Sequence, residues 1–274
     1  MELSTRLQDV LLGTLAVVAI SLTALAVWSV GSPSEAPTAG VAHALDPASS
    51  SDAAVESSAA PNAADTTGTA TAADTPPTTL PAPTVGDWVS AWSTQDADLF
   101  VIGDGFSNLR SQWVHQWAGL VAAERPVQIH HWGEAADVSF NEADLISEGE
   151  GAQLTIWNAS RADTTVSEAA GRTSEFLEAA GDVDAVMVSL GRESTPSGVA
   201  ASLDQLVDEV GPDLPVLVVI GPPGLYGSDV ADGILAWVED HDERVSLVDL
   251  RESAPDEATA EEWAAAFQAA LAGS

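Results

Sequence analysis

The 274-residue sequence contains no cysteine and no lysine, a single tyrosine, and only 8 basic residues, all arginine, against 42 acidic ones. The absence of cysteine excludes disulfides, thiol nucleophiles, cysteine-ligated zinc and attachment to a membrane through a lipidated cysteine. The shortage of positive charge leaves a formal net charge of −34. That charge argues against nucleic acid and anionic membrane surfaces as partners, because their phosphates would be repelled. Without cross-links the fold must rest on its apolar core. The roughly 190 residues that follow a low-complexity linker are enough to build one.

One long apolar run is present. Val10–Val30, "VLLGTLAVVAISLTALAVWSV", carries no charge over its 21 residues, and a helix of about 20 apolar residues crosses a bilayer. The run is longer than the core of a secretory signal, and the nearest Ala-x-Ala, at Ala42-His43-Ala44, lies well beyond it, so an uncleaved anchor is expected. Arg6 is the only basic residue near either end; the next is Arg110. The bias of basic residues toward the cytoplasmic side then places residues 1–9 inside and everything after Val30 outside the cell membrane. Residues 31–84 are rich in Ala, Thr, Ser, Pro and Asp and hold no aromatic residue. They offer too little large apolar surface to offset chain entropy, which predicts a disordered tether. Ordered structure is expected over residues 85–274.

In that region strands and helices alternate. Strands are predicted at Leu99–Ile102, Val127–Trp132, Gln153–Trp157, Ala185–Leu190, Val216–Ile220 and Val245–Leu250, most of them continuous apolar runs of the kind buried on both faces of a parallel sheet. Val166, Ala169, Ala170, Thr173, Phe176, Leu177 and Ala180 follow the spacing of one buried helical stripe. Trp263, Phe267 and Leu271 recur every four residues in a last helix opened by Ala260-Glu261-Glu262. The pattern predicts a three-layer α/β/α domain with a mainly parallel, doubly wound sheet, whose ligands bind beyond the C-terminal strand ends. Those ends carry Gly103-Asp104-Gly105-Phe106-Ser107, Asn158 to Thr164, Gly191-Arg192-Glu193-Ser194 and Gly221-Pro222-Pro223-Gly224. Pro255-Asp256-Glu257-Ala258-Thr259 precedes the final helix.

The order and spacing of "FVIGDGFS", "LTIWNASRADTT", "DAVMVSLGRES" and "VSLVDLRESAPDEATAEEW" resemble the four blocks of the SGNH (GDSL-type) hydrolases, over roughly residues 95–272. That resemblance implies a flavodoxin-like α/β fold and an ancestry among esterases, deacetylases and acyltransferases. It does not carry the catalytic letters with it. The family's nucleophilic serine falls on Gly105, its backbone oxyanion donor on Asp163, its oxyanion asparagine on Glu193 and its histidine base on Thr259; of the set only Asp256 is retained. Glycine has no atom to attack with, and threonine takes no proton near neutral pH. Carboxylates at 163 and 193 would repel the developing oxyanion instead of binding it.

The expectation is a degenerate, catalytically inactive member with a cell-envelope binding or interaction role, its ligand a glycan or an acylated molecule as the resemblance implies, or its partner another envelope protein. The alternative is a working SGNH-type esterase, acyl hydrolase or acyltransferase with rearranged residues, Ser107 being the displaced nucleophile to consider. A structural envelope protein without ligand is a third reading. Ser107 is otherwise expected to cap a long helix that starts near Asn108 and holds Trp113 and Trp117, and His115, His130 and His131 to be packing or surface residues. No cofactor is called for. Asp104, Asp163, Glu193 and Asp256 are expected to converge on the former cleft, where such carboxylates either hold a hard cation or stand as solvated charge.

Overall fold

The computed structural model of the chain describes residues 82–274. The predicted membrane anchor and all of the predicted tether except its last three residues lie outside that range. Among the described residues no helix is long and apolar enough to cross a membrane.

Seven strands form one sheet in the order β3-β2-β4-β1-β5-β6-β7. They are β1 Ala97–Gly103, β2 Val127–His131, β3 Asp144–Ser147, β4 Leu154–Asn158, β5 Ala185–Ser189, β6 Val216–Ile220 and β7 Val245–Asp249. All pairings are parallel except that of the edge strand β3 with β2. The helices are α1 Val85–Ser93, α2 Trp113–Val121, α3 Val166–Ala170, α4 Thr173–Ala180, α5 Val199–Val210, α6 Ser228–Asp240 and α7 Ala260–Ala272.

Alternation along the central strands explains the three layers. Leu99 and Val101 of β1, Met187 of β5, and Leu217 and Val219 of β6 point into one core, shared with Trp88, Trp113, Trp117, Trp263 and Phe267 from α1, α2 and α7. Phe100 and Ile102, Val186 and Val188, and Val216, Val218 and Ile220 point into the other, shared with Phe176, Leu203, Leu206, Ile234 and Trp237 from α4, α5 and α6. A strand covered on both faces has no polar side to show, so these stretches read as unbroken apolar runs. The first core is built on indole. Trp113 stacks on Trp263 with centroids 4.9 Å apart and planes 5° from parallel, and Phe267 meets Trp113 and Trp117 edge-on. Pairs of this kind add about 0.5–1.5 kcal/mol each beyond their burial.

Three helix starts use one device. Thr84, Thr165 and Thr259 each accept from the backbone N–H three residues on, and Asp87, Glu168 and Glu262 reach back to the threonine N–H. These reciprocal caps satisfy two orphan donors at each end.

The six predicted strands are all present, within two residues at either end. Three expectations need correction. β3 was not anticipated, because its side chains are half-buried or exposed and give no apolar run. The single stripe over Val166–Ala180 is two helices, since the chain breaks at Gly171-Arg172. The helix bearing Trp113 and Trp117 has only 9 residues and begins at Trp113 behind Gln112, not near Asn108.

Candidate functional site

The chain leaves β1 toward β2 on one side of the sheet and later adds β5 on the other, so β1 ends at the point where the winding reverses. In such sheets a crevice opens beyond the strand ends at this point. Here the crevice is filled. A Cβ built at Gly105 would overlap the Ala162 carbonyl oxygen and stand 2.8 Å from Arg192 Nη1. The Arg192 guanidinium lies over the Phe106 ring, 4.7 Å from its centroid. Behind it Phe106, Tyr226 and Trp263 pack against one another, and Gly191 leaves room for Tyr226, whose ring would stand 2.7 Å from a Cβ there.

Asp104 sits beneath this plug, fully buried. Its Oδ2 accepts from the Gly191 and Arg192 backbone N–H groups at 3.0 and 2.9 Å, and its Oδ1 from Phe106 N at 3.0 Å. Burial pushes its carboxyl above the usual range, against the pull of those three donors and of the Tyr226 hydroxyl. Burial, and then the neighbouring Asp104, push the Tyr226 phenol well above its ordinary value. Glu134 plays a similar part on the other flank, where one carboxylate oxygen takes Asn108 Nδ2 at 2.6 Å and Ala162 N at 3.0 Å. Backbone donors near the strand ends are therefore already held by the chain's own carboxylates.

The predicted site residues lie in different surroundings. Ser107 is fully buried and accepts from Trp113 Nε1 at 2.9 Å; it caps no helix, since the helix begins later. Asp163 is exposed and lines a recess of about 210 Å³ with Arg161, Thr164 and Glu168. Glu193 lines a separate recess of about 190 Å³ beside Thr165 and Ser194, with its backbone in the left-handed region at φ 57°. Asp256 is exposed, and its carbonyl accepts from Gly224 N at 2.8 Å. Thr259 is committed to capping α7. Asp163 and Glu193 thus line different recesses, and among the described residues Asp104, Asp163, Glu193 and Asp256 form no group spaced to hold one cation.

The large concavity lies to one side. A recess of about 1020 Å³ is walled by Asn108 to Ser111, by His131, Trp132 and Glu134, and by Asn141 to Asp144. His131 ends β2 with its Nε2 3.2 Å from His115 Nδ1 on α2, while its own Nδ1 lies 3.2 Å from Asn158 Nδ2. Burial, and next the charge of His115, hold His131 down to about 4. Burial also lowers His115. Both imidazoles are therefore neutral at pH 7. Asp144 opens β3 beside them and pairs with Arg110. His130, on the other side of the strand, stacks on Trp157 at 4.2 Å, in keeping with its expected packing role. The grouping of His115, His131 and Asp144 was not read from the sequence. Its members come from three elements, and no local spacing connects them.

Neither the protein-family models nor the curated proteins give a match to this chain. Among solved structures it is similar to the C-terminal catalytic domain of peptidoglycan O-acetyltransferase A from Streptococcus pneumoniae, at 12% identity and a TM-score of 0.38, over 66% of this chain and 95% of that one. It is also similar to a protein from Arabidopsis thaliana, at 14% identity and a TM-score of 0.39, over 65% of this chain and 98% of that one. Neither likeness assigns chemistry to this chain.

Proposed function

We propose that this chain is an SGNH-like domain without acyl-transfer activity, held outside the cell by its N-terminal apolar segment, that binds an envelope glycan or acylated ligand. The observation that carries the reading is the closure at Gly105, where the Ala162 carbonyl and the Arg192 guanidinium occupy the space a nucleophile's side chain needs. An acyl-transfer site requires a nucleophile, a base in reach and unoccupied donors for the oxyanion. At the positions the sequence resemblance marks, the first is glycine and the second is a helix cap. Nearby N–H groups are taken by Asp104 and Glu134. The binding half of the proposal is supported by the recess of about 1020 Å³, whose mainly polar wall of Asn, Ser, Arg, His, Glu and Asp, with Trp132, Leu109 and Ala143 among them, suits a hydroxyl-rich ligand.

The test uses the purified full chain. It should neither turn over short-chain nitrophenyl esters nor react with an active-site serine probe, and it should bind soluble envelope-glycan fragments saturably, more weakly after Asn141→Ala. Ester turnover or probe labelling that disappears in Ser107→Ala would overturn the inactive reading in favour of rearranged catalysis. No saturable binding to any fragment would overturn the ligand half.

A further inference from the structure

We propose that His115, His131 and Asp144 bind one zinc-class divalent ion, with an open coordination position toward the large recess. Three elements meet at this point, with His115 on α2, His131 as the last residue of β2 and Asp144 as the first of β3. One ligand atom from each lies within 4.8 Å of the other two. The two imidazole nitrogens are 3.2 Å apart. Nitrogens held at about 2.0–2.1 Å from one tetrahedral ion stand about 3.3 Å from each other, so the pair is already spaced to share one. Two imidazoles with one carboxylate suit zinc and its neighbours; calcium and magnesium prefer an all-oxygen shell.

The surroundings fit as well. His131 is 8% exposed, so packing holds its ring in place. Its Nδ1 lies 3.2 Å from Asn158 Nδ2; a metal at Nε2 leaves the proton on Nδ1, and that contact must then lengthen. Arg110 is the competitor. It pairs with Asp144, but its side chain is 73% exposed and can leave into water when a cation takes the carboxylate. Three protein ligands leave a fourth position for water or an incoming oxygen, and His131 and Asp144 both face the recess. The site stands on its own geometry and does not depend on what else the recess holds.

The full chain, freed of metal with a chelator, is titrated with Zn²⁺ against a chromophoric competitor and with Co²⁺ followed by visible absorption. One equivalent should bind, and cobalt should give the intense visible bands of a four-coordinate site. His115 is half-buried, so His115→Ala spares the folded core; it should weaken binding by about tenfold or more, as losses even in the outer shell of a metal site do. Asp144→Asn should weaken it too, and Arg110→Gln should tighten it. Less than one equivalent bound by the unaltered chain overturns the proposal. So does unchanged affinity in both His115→Ala and Asp144→Asn, which would place the ion on other histidines.

Discussion

A methyl group added at Gly105 meets the Ala162 carbonyl and the Arg192 guanidinium, so Gly105→Ala is expected to lower stability by about 1–3 kcal/mol, the usual cost of overfilling a packed site. Gly105→Ser should cost at least as much and restore no ester hydrolysis, since the groups nearest the position are a carbonyl and a guanidinium, neither of them a base; urea unfolding followed by an esterase assay checks both. Glu193 is the converse case. It is a branchless but Cβ-bearing residue at φ 57°, where glycine is at ease. Glu193→Gly should therefore stabilise the domain by up to about 1 kcal/mol in the same unfolding measurement. At this scale the sequence was partly legible. The glycine where the resemblance puts a nucleophile is visible as a letter, but the packing against it is not. It depends on Ala162 and Arg192, 57 and 87 residues further along, and on how their loops bend back over β1. The histidine pair was hidden for the same reason, its two members lying on a helix and a strand whose approach only the fold decides.

At the level of elements, the strands were legible because both their faces are buried, which makes composition alone diagnostic. β3 was not, because a half-exposed edge strand carries no such signature. The helix starts held a signal that could have been used, threonine followed three residues later by an acid, at Thr84, Thr165 and Thr259. Thr259→Ala removes the cap of the helix that supplies Trp263 and Phe267 to the first core. A loss of about 0.5–2 kcal/mol is expected by thermal or urea unfolding. The matching acid gives a pH test. Hydrogen bonds from the Thr259 backbone and side chain hold Glu262 below its ordinary value of 4.5. A carboxyl depressed on folding adds stability above its unfolded pKa and loses it as pH falls through the folded one. The difference in melting temperature between the unaltered chain and Glu262→Gln should therefore be largest near neutral pH and shrink below about pH 4.5.

Across the whole molecule, positive charge is used internally. Each arginine among the described residues has a partner. Arg125 donates to the carbonyls of Trp92, Gln95 and Ala152, and Arg244 to those of Gly211 and Leu214. Arg110, Arg161, Arg172, Arg192 and Arg251 each meet a carboxylate. With a formal charge of −34 over the chain, repulsion among the remaining acids outweighs these few attractions. Raising NaCl from about 0.05 to about 0.5 M shortens the reach of that repulsion to a few ångströms. The melting temperature should rise; a fall would mean that the arginine pairs dominate. Descent adds a direction to the closure over Gly105. On the inactive reading proposed above, a lineage in which a carbonyl and a guanidinium have settled against Gly105 cannot return by one codon, because the first step back is penalised in folding before any chemistry could reward it. On that reading the plug acts as a ratchet, and new activity is more accessible beside the strand ends of this fold than on them.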